Sequence, residues 1–212
     1  MDITWYGHSC FRVTERGRAA IVMDPFSAGL GYEVPRLKAD IVTVSHDAPG
    51  HNNVDAVRGA RHIIAGPGEY EIGGVFITGV ATFDPSQEAP RRNVIYVFDF
   101  NGLTLVHLGD LDHVPGQTMV DALGSADVVL LPVGGGSALS SSQAAEVVSL
   151  LEPRIVIPMH FQTEALRGAQ LDPVDRFLKE MGVSEIEEEG YLRISASTLP
   201  EQTQVVLLDY RH

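Results

Sequence analysis

Three apolar, β-branched runs in this chain each stop at a histidine or an acid, and that repetition limits the possible folds more than any other feature. Ile41-Val42-Thr43-Val44 leads into Ser45-His46-Asp47-Ala48-Pro49-Gly50-His51. Leu103-Thr104-Leu105-Val106 leads into His107-Leu108-Gly109-Asp110, and Ile155-Val156-Ile157 leads into Pro158-Met159-His160. Short β-branched runs of this kind read as strands covered on both faces. A buried strand fixes the backbone, and the loop after it aims the side chains. In α/β sheets, sites form outside the carboxyl ends of such strands. Imidazoles and a carboxylate delivered by three strand ends are suited to holding a metal ion.

The rest of the chain supplies the material for two sheets. Ile3–Tyr6, Cys10–Thr14 and Ala19–Met23 read as strands, and Asp24-Pro25-Phe26 ends the third because proline cannot continue a central ladder. Gly73-Gly74 and Asn101-Gly102 are hairpin turns, the first between Glu69–Ile72 and Val75–Thr78, the second between Val94–Phe100 and Leu103–Val106. Thr82–Arg92 is polar and reads as a loop. Short helices are expected over Asn53–Arg58 and Thr118–Leu123. The clearest helix runs from Ser140 to Leu151, with serines to cap it and Ala144, Val147, Val148 and Leu151 on one face. Another runs from Val174 to Met181, with Gly182 as its stop. Tyr191–Ser195 and Val205–Leu208 are the last strands, and Glu187–Glu189 reads as a solvated charge run. Strands come first and strand–helix alternation follows, which suggests a sheet sandwich with helices outside. No Pro/Ser-rich linker divides the 212 residues, so one domain over 1–212 is expected.

Charge and cysteine usage exclude several functions. The formal charge is −13 with no Lys/Arg cluster beyond the pair Arg91-Arg92. Such a surface repels nucleic acid and anionic membrane. No apolar stretch approaches the ~20 residues of a membrane span. Cys10 is the single cysteine, so no disulfide forms within the chain, which fits a reducing compartment. Met1–Trp5 lacks the basic-then-apolar pattern of a secretory leader. A cytoplasmic protein acting on a small molecule is expected, and homo-oligomerisation is left open.

Several residues carry two readings each. His8 either lines a pocket or satisfies a buried backbone group. Asp24 either hydrogen-bonds the histidine loop or terminates a strand. Cys10 is a nucleophile or, more simply, small core filler. Gly134-Gly135-Gly136-Ser137 cradles an anion or makes a turn, and its place after a strand puts it near the site. His62 and His212 read as surface residues.

Taken in order, Thr4-Trp5-Tyr6-Gly7-His8-Ser9, Asp24-Pro25-Phe26, the Ser45–His51 loop, His107-Leu108-Gly109-Asp110 and Ile157-Pro158-Met159-His160 resemble the metallo-β-lactamase superfamily. Within it, the chain is most similar to the L-ascorbate-6-phosphate lactonase-like metal-dependent hydrolases. The resemblance implies an α/β fold, a four-layer αβ/βα sandwich with its metal site at one edge of the two sheets. It also exposes departures. Where the family carries His-x-His-x-Asp-His, this chain has Ala48 for the second histidine and Gly50 for the aspartate. Thr82-Phe83-Asp84 has no histidine where the family has another. His46, His51, Asp110 and His160 match the remaining ligand positions.

Carried over residue by residue, one family metal position keeps only His46 and Asp110, while the other keeps His51, His160 and Asp110. Two imidazoles and a carboxylate suffice for a catalytic zinc or an Fe(II) site. One divalent ion, or none, is therefore expected in preference to a pair, zinc first, with Mn, Fe or Ni as alternatives. Asp47, Asp84 or His113 could stand in for a lost ligand. The implied activity is attack by metal-bound hydroxide on an ester, lactone or phosphoester bond of a small molecule. Asp47 and Asp110 would be the catalytic carboxylates, and His46 and Asp47 would orient water or a weak second ion. His8 and His113 would face substrate, and Asp24 and His107 would support the ligands from behind. Ala48, Gly50 and Phe83 favour the alternative, a catalytically inactive member of the fold that binds a ligand or a protein partner.

Overall fold

The computed structural model describes residues 1–82 and 92–211. In chain order the first half forms β1 (Asp2–Trp5), β2 (Phe11–Thr14), β3 (Ile21–Met23), β4 (Leu37–Lys38), β5 (Ile41–Thr43), β6 (Val57–Arg58), β7 (His62–Ile64), β8 (Gly68–Ile72), β9 (Val75–Thr82), β10 (Asn93–Asp99) and β11 (Thr104–His107). Among the described residues the α-helices lie in the second half, which forms α1 (Gln117–Leu123), β12 (Val128–Pro132), α2 (Ser141–Leu151), β13 (Ile155–Met159), α3 (Val174–Glu180), β14 (Glu188–Glu189), β15 (Leu192–Arg193), β16 (Gln204–Val205) and β17 (Leu207–Leu208).

The strands assemble into a six-stranded sheet, β15-β1-β2-β3-β5-β7, and a seven-stranded sheet, β16-β13-β12-β11-β10-β9-β8. Side chains alternate across a strand, and the packing follows that rule. Ile21, Met23 and Ile41 enter the large apolar cluster shared with Ile95, Phe98, Leu105 and Ile157 of the other sheet. Val22 and Val42 point the opposite way, into a second cluster with Cys10, Phe26, Tyr32 and Leu166. Each run is thus buried on both faces, which explains its lack of polar alternation.

The expected sandwich is the observed one, and its outer layers differ. Ala144, Val147, Val148 and Leu151 of α2 and Phe177 of α3 join the main core from the side of the seven-stranded sheet. On the six-stranded side the cover comes from loop residues such as Phe26, Tyr32 and Leu166. Helix α2 begins where the serine run predicts. The Ser140 hydroxyl accepts from the Gln143 backbone N–H while the Gln143 side chain accepts from the Ser140 N–H, a reciprocal cap worth about 1 kcal/mol.

Both hairpin turns have the left-handed backbone their sequences imply, with Gly73 at φ 56 and Gly74 at φ 76, and Asn101 at φ 60 and Gly102 at φ 86. Three segments differ from expectation. Asn53–Arg58 is a 3-10 turn over Val54–Ala56 followed by β6, because Val57 is buried and pairs with Leu37 instead of continuing a helix. Val205–Leu208 splits into β16, which pairs with β13, and β17, which pairs with β14. Glu188 and Glu189 are exposed as expected, but their backbone forms that pairing, so the charges sit on an edge strand. The expected loop Thr82–Arg92 lies outside the described residues except at its two ends.

One side chain ties the sheets together beside the histidine loop. The Tyr96 hydroxyl, on β10, is directed at the carbonyl oxygens of Val44 at 3.0 Å and Ile64 at 3.1 Å, both in or next to the first sheet. Tyr96→Phe should lower the unfolding free energy by about 1–3 kcal/mol, because a buried acceptor loses its donor. Urea unfolding checks this, and an unchanged midpoint would refute the bridge.

Candidate metal centre

Parallel pairing places the informative loops together. β3, β5 and β7 run parallel in the first sheet, and β11, β12 and β13 run parallel in the second. Their carboxyl ends deliver Asp24 after β3, the Ser45–His51 loop after β5, Asp110 after β11 and His160 after β13. His8 comes from the turn between β1 and β2.

Three of the imidazoles, those of His46, His51 and His160, converge on the buried carboxylate of Asp110. Its Oδ1 lies 3.4 Å from His51 Nε2 and 3.3 Å from His160 Nε2, and its Oδ2 lies 3.7 Å from His46 Nε2. The ligating atoms of His46, His51 and Asp110 all lie within 4.8 Å of one another, and so do those of His8, His51 and His160. Zinc ligands sit about 2.0–2.2 Å from the ion, so two of them at a tetrahedral corner are about 3.3–3.6 Å apart. The spacings around Asp110 Oδ1 match that range.

The ring orientations fit as well. Asp24 is fully buried, and burial alone would raise its pKa. His107, His51 and Ser45 outweigh that effect and hold the carboxyl below its usual range. As an ionised acceptor it takes the Ser45 backbone N–H at 2.7 Å on Oδ1, and the Ser45 hydroxyl at 2.5 Å and His51 Nδ1–H at 2.8 Å on Oδ2. His51 thereby carries its proton on Nδ1 and turns the Nε2 lone pair toward Asp110. The Ser45 hydroxyl proton is committed to Asp24, so Ser45 Oγ accepts from His46 Nδ1–H at 3.0 Å, and His46 also presents a bare Nε2. Lone pairs facing a carboxylate at such distances need positive charge between them. This carboxylate–histidine arrangement is the one that orients metal-ligating imidazoles.

Behind it, His107 accepts from the Gly109 N–H on Nδ1 at 3.3 Å and donates from Nε2 to the Ser9 carbonyl at 3.0 Å. Both nitrogens are used, so His107 supports the site without ligating. Gly109 is needed here, being at φ 58 with Asn93 and Ser45 packed where a side chain would go. Asp110 is pinned by Ser137 Oγ, which donates to Oδ2 at 2.8 Å, and by its own N–H, which donates to Asn93 Oδ1 at 3.0 Å. Burial opposes ionisation of Asp110, but in the metal-free chain the positive charge of its imidazole neighbours when protonated, His160 and His51 first, prevails and holds its pKa far below the usual carboxylate value. Burial, with His160 and His51 adding to it, keeps His8 neutral, which is the ligating form.

The backbone is strained at the same place. His8, Asp24 and His160 all have positive φ, at 50, 45 and 51. Non-glycine residues rarely adopt this conformation outside turns, and it concentrates at functional sites.

The structure thus brings together His46, His51, Asp110 and His160, adds His8, and puts Asp24 and His107 behind them. It does not bring in Asp47, which is exposed and accepts from Asn52 Nδ2 at 2.5 Å, or His113, whose Nδ1 is 2.7 Å from Asp112 Oδ1. Neither belongs to the clusters of potential ligands. A short loop that turns His46 and His51 inward must turn the residue after His46 outward. Cys10 is wholly buried in the second apolar cluster, the core-filler reading, and His62 is exposed. Phe83, Asp84 and His212 lie outside the described residues. Ser45, Asn93 and Ser137 also support the site; the Gly134–Ser137 turn, expected near the site, supplies Ser137, while nothing in the sequence marks Asn93.

Comparisons with known proteins bear on this geometry. The β-lactamase superfamily domain matches residues 2–160. A candidate Zn-dependent hydrolase of the metallo-β-lactamase superfamily from Thermotoga maritima superposes with a TM-score of 0.80 at 36% identity, covering 98% of this chain and 97% of that one. The chain belongs to the metallo-β-lactamase superfamily. It also matches a UPF0173 metal-dependent hydrolase of Nitratidesulfovibrio vulgaris at 31% identity over 193 residues, covering 76% of this chain and 80% of the relative. A UPF0173 protein of Pyrococcus furiosus is 29% identical over 206 residues, covering 85% of this chain and 90% of that one.

Asp24 offers a direct check of the arrangement in this superfamily member. Asp24→Asn replaces an acceptor with an amide donor facing Ser45 and His51. The metal-free protein should lose about 1.5–3 kcal/mol of stability, and zinc affinity should fall about 10–100-fold. Denaturant unfolding and competition with a chromophoric chelator read the two effects. Unchanged zinc affinity would show that Asp24 does not set the His51 tautomer.

Proposed function

We propose that the chain is a metal-dependent hydrolase that holds one divalent ion, zinc first and Mn, Fe or Ni next, through His51, Asp110 and His160. Its substrate is a small molecule with an ester, lactone or phosphoester bond, as the lactonase-like resemblance suggests. The observation that carries this reading is Asp110 Oδ1 at 3.4 and 3.3 Å from two imidazole nitrogens, one with its tautomer already set by Asp24. When bound, a divalent ion supplies Lewis acidity and lowers the pKa of water toward neutrality. The relatives named metal-dependent hydrolases support the same activity.

The protein's own groups then divide the work. Ser137 and the Asn93-bound backbone hold the Asp110 carboxylate in one orientation. His46, with Nδ1 committed to Ser45, offers Nε2 as a proton acceptor 3.7 Å from Asp110 Oδ2. His46 would then orient water alone, a task expected to be shared with Asp47, whose carboxylate instead accepts from Asn52. The −13 net charge argues against a nucleic-acid substrate. No helix among the described residues is long and apolar enough to cross a membrane. The buried, lone Cys10 suits a reducing compartment such as the cytoplasm, and a single domain over the whole chain is the simplest organisation.

The test is chelation, reconstitution with Zn, Mn, Fe(II) or Ni, and metal analysis after dialysis. It is followed by assays on generic ester, lactone and phosphodiester substrates. About one ion per chain should be retained, and His160→Ala should cut kcat/KM by about 100-fold or more with the fold intact. Absence of retained metal would overturn the reading. Retained metal with flat rates for every ion would favour a ligand- or partner-binding role instead.

A further inference from the structure

Gly50 is not among the glycines with positive φ, so its backbone does not require glycine. The space around it does. A Cβ at this position would lie 3.0 Å from His8 Nε2 and 3.2 Å from His8 Cδ2, with Leu30 Cδ1 behind at 3.5 Å. Contacts that tight force a neighbour to move, and His8 has little room to do so. Its carbonyl accepts from Trp5 Nε1 at 3.0 Å and from the His160 backbone N–H at 3.1 Å, which ties the β1–β2 turn to the end of β13. The ring lies between the other imidazoles, with centroids 4.9 Å from His51 and 4.5 Å from His160. Its Nδ1 is buried with no hydrogen-bond partner among the described residues. A buried polar ring without such a partner is costly unless it has another use.

We propose that His8 joins His51 and His160 as a third imidazole ligand, the three ligating nitrogens lying within 4.8 Å of one another, with Asp110 closing the shell from its contacts to His51 and His160, and that its ring occupies the space that a side chain at position 50 would take. This rests on the one-ion reading above and extends it. The donor set becomes three imidazoles and one carboxylate. Such a nitrogen-rich set suits Zn, Co, Ni and Fe and disfavours Mg and Ca, which prefer all-oxygen shells. His8 is then a binding residue first, and its substrate contacts are secondary. The Ala48 and Gly50 departures also acquire different meanings: Ala48 removes a ligand, while Gly50 makes room for one.

The test uses the full chain, chelated and then titrated. Zn2+ affinity is read by chelator competition, and ligand number by the visible absorption of the Co2+-loaded protein. His8→Ala should weaken Zn2+ binding by about 100-fold, at least the upper end of what loss of an outer partner costs, and should change the Co2+ spectrum. Gly50→Ala should weaken binding in the wild-type chain but have no added effect in the His8→Ala chain, a non-additive cycle. His8→Gln, scored in the same way, serves if His8→Ala does not fold.

Unchanged Zn2+ affinity and Co2+ spectrum in the His8 variants, with metal bound to the wild type, would overturn the role of His8 alone. Additive effects of the two substitutions would overturn the link between Gly50 and His8. A wild-type chain that binds neither ion would overturn both this proposal and the reading on which it rests.

Discussion

The site depends on one carboxylate held where carboxylates are expensive. Asp110 is buried, and a lone buried charge costs several kcal/mol unless it is paired and hydrogen-bonded. Here it meets imidazole nitrogens on both oxygens, a hydroxyl from Ser137 on Oδ2, and a backbone anchor through Asn93. These partners come from four separate stretches of chain, the His46–His51 loop, Asn93, Ser137 and His160. The position of Asp110 is therefore a statement about the whole sandwich, and the strands serve it by ending at the same edge.

That common edge has a simple cause. Parallel neighbours end on the same side, and both sheets use parallel pairs where the site forms. The apolar runs that bury these strands on both faces make them stiff, so the loops inherit fixed starting points. Tyr96 then ties the carbonyl of Val44, at the root of the histidine loop, to the opposite sheet. Precise imidazole placement rests on rigid elements more than on the loops themselves.

Much of this was legible in the sequence, because strand ends are. His46, His51, Asp110 and His160 each follow a short β-branched run, and a rule about strand ends needs no coordinates. Asp24 before Pro25 followed by the same logic, and both hairpins declared themselves through Gly73-Gly74 and Asn101-Gly102. Reach was not legible. Asp47 neighbours His46 in sequence, yet it faces solvent and Asn52, since a tight loop sends successive side chains in different directions. His113 binds its own neighbour, Asp112. Asn93 opens a strand that reads as mostly apolar, and its amide serves Asp110 only because β10 pairs with β11. Val57 pairs with Leu37 in a short sheet, so the segment before it does not extend as a helix.

Charge accounting agrees with the single ion proposed above. Among the described residues, the buried acids are Asp24 and Asp110 alone. Their two negative charges balance a single divalent cation, whereas a pair of cations would leave an uncompensated buried excess. Imidazole ligands add donors without adding charge, since they ligate in the neutral form. Ala48 and Gly50 fit the same balance: the first takes away an imidazole and the second supplies no carboxylate, so the loop offers neither the donors nor the anion that a second ion would require. What remains around Asp110 would be electrically complete for the one ion proposed above. A loop that had merely decayed would have little reason to keep His51 locked to a fully buried Asp24, or His8 and His160 on strained backbone.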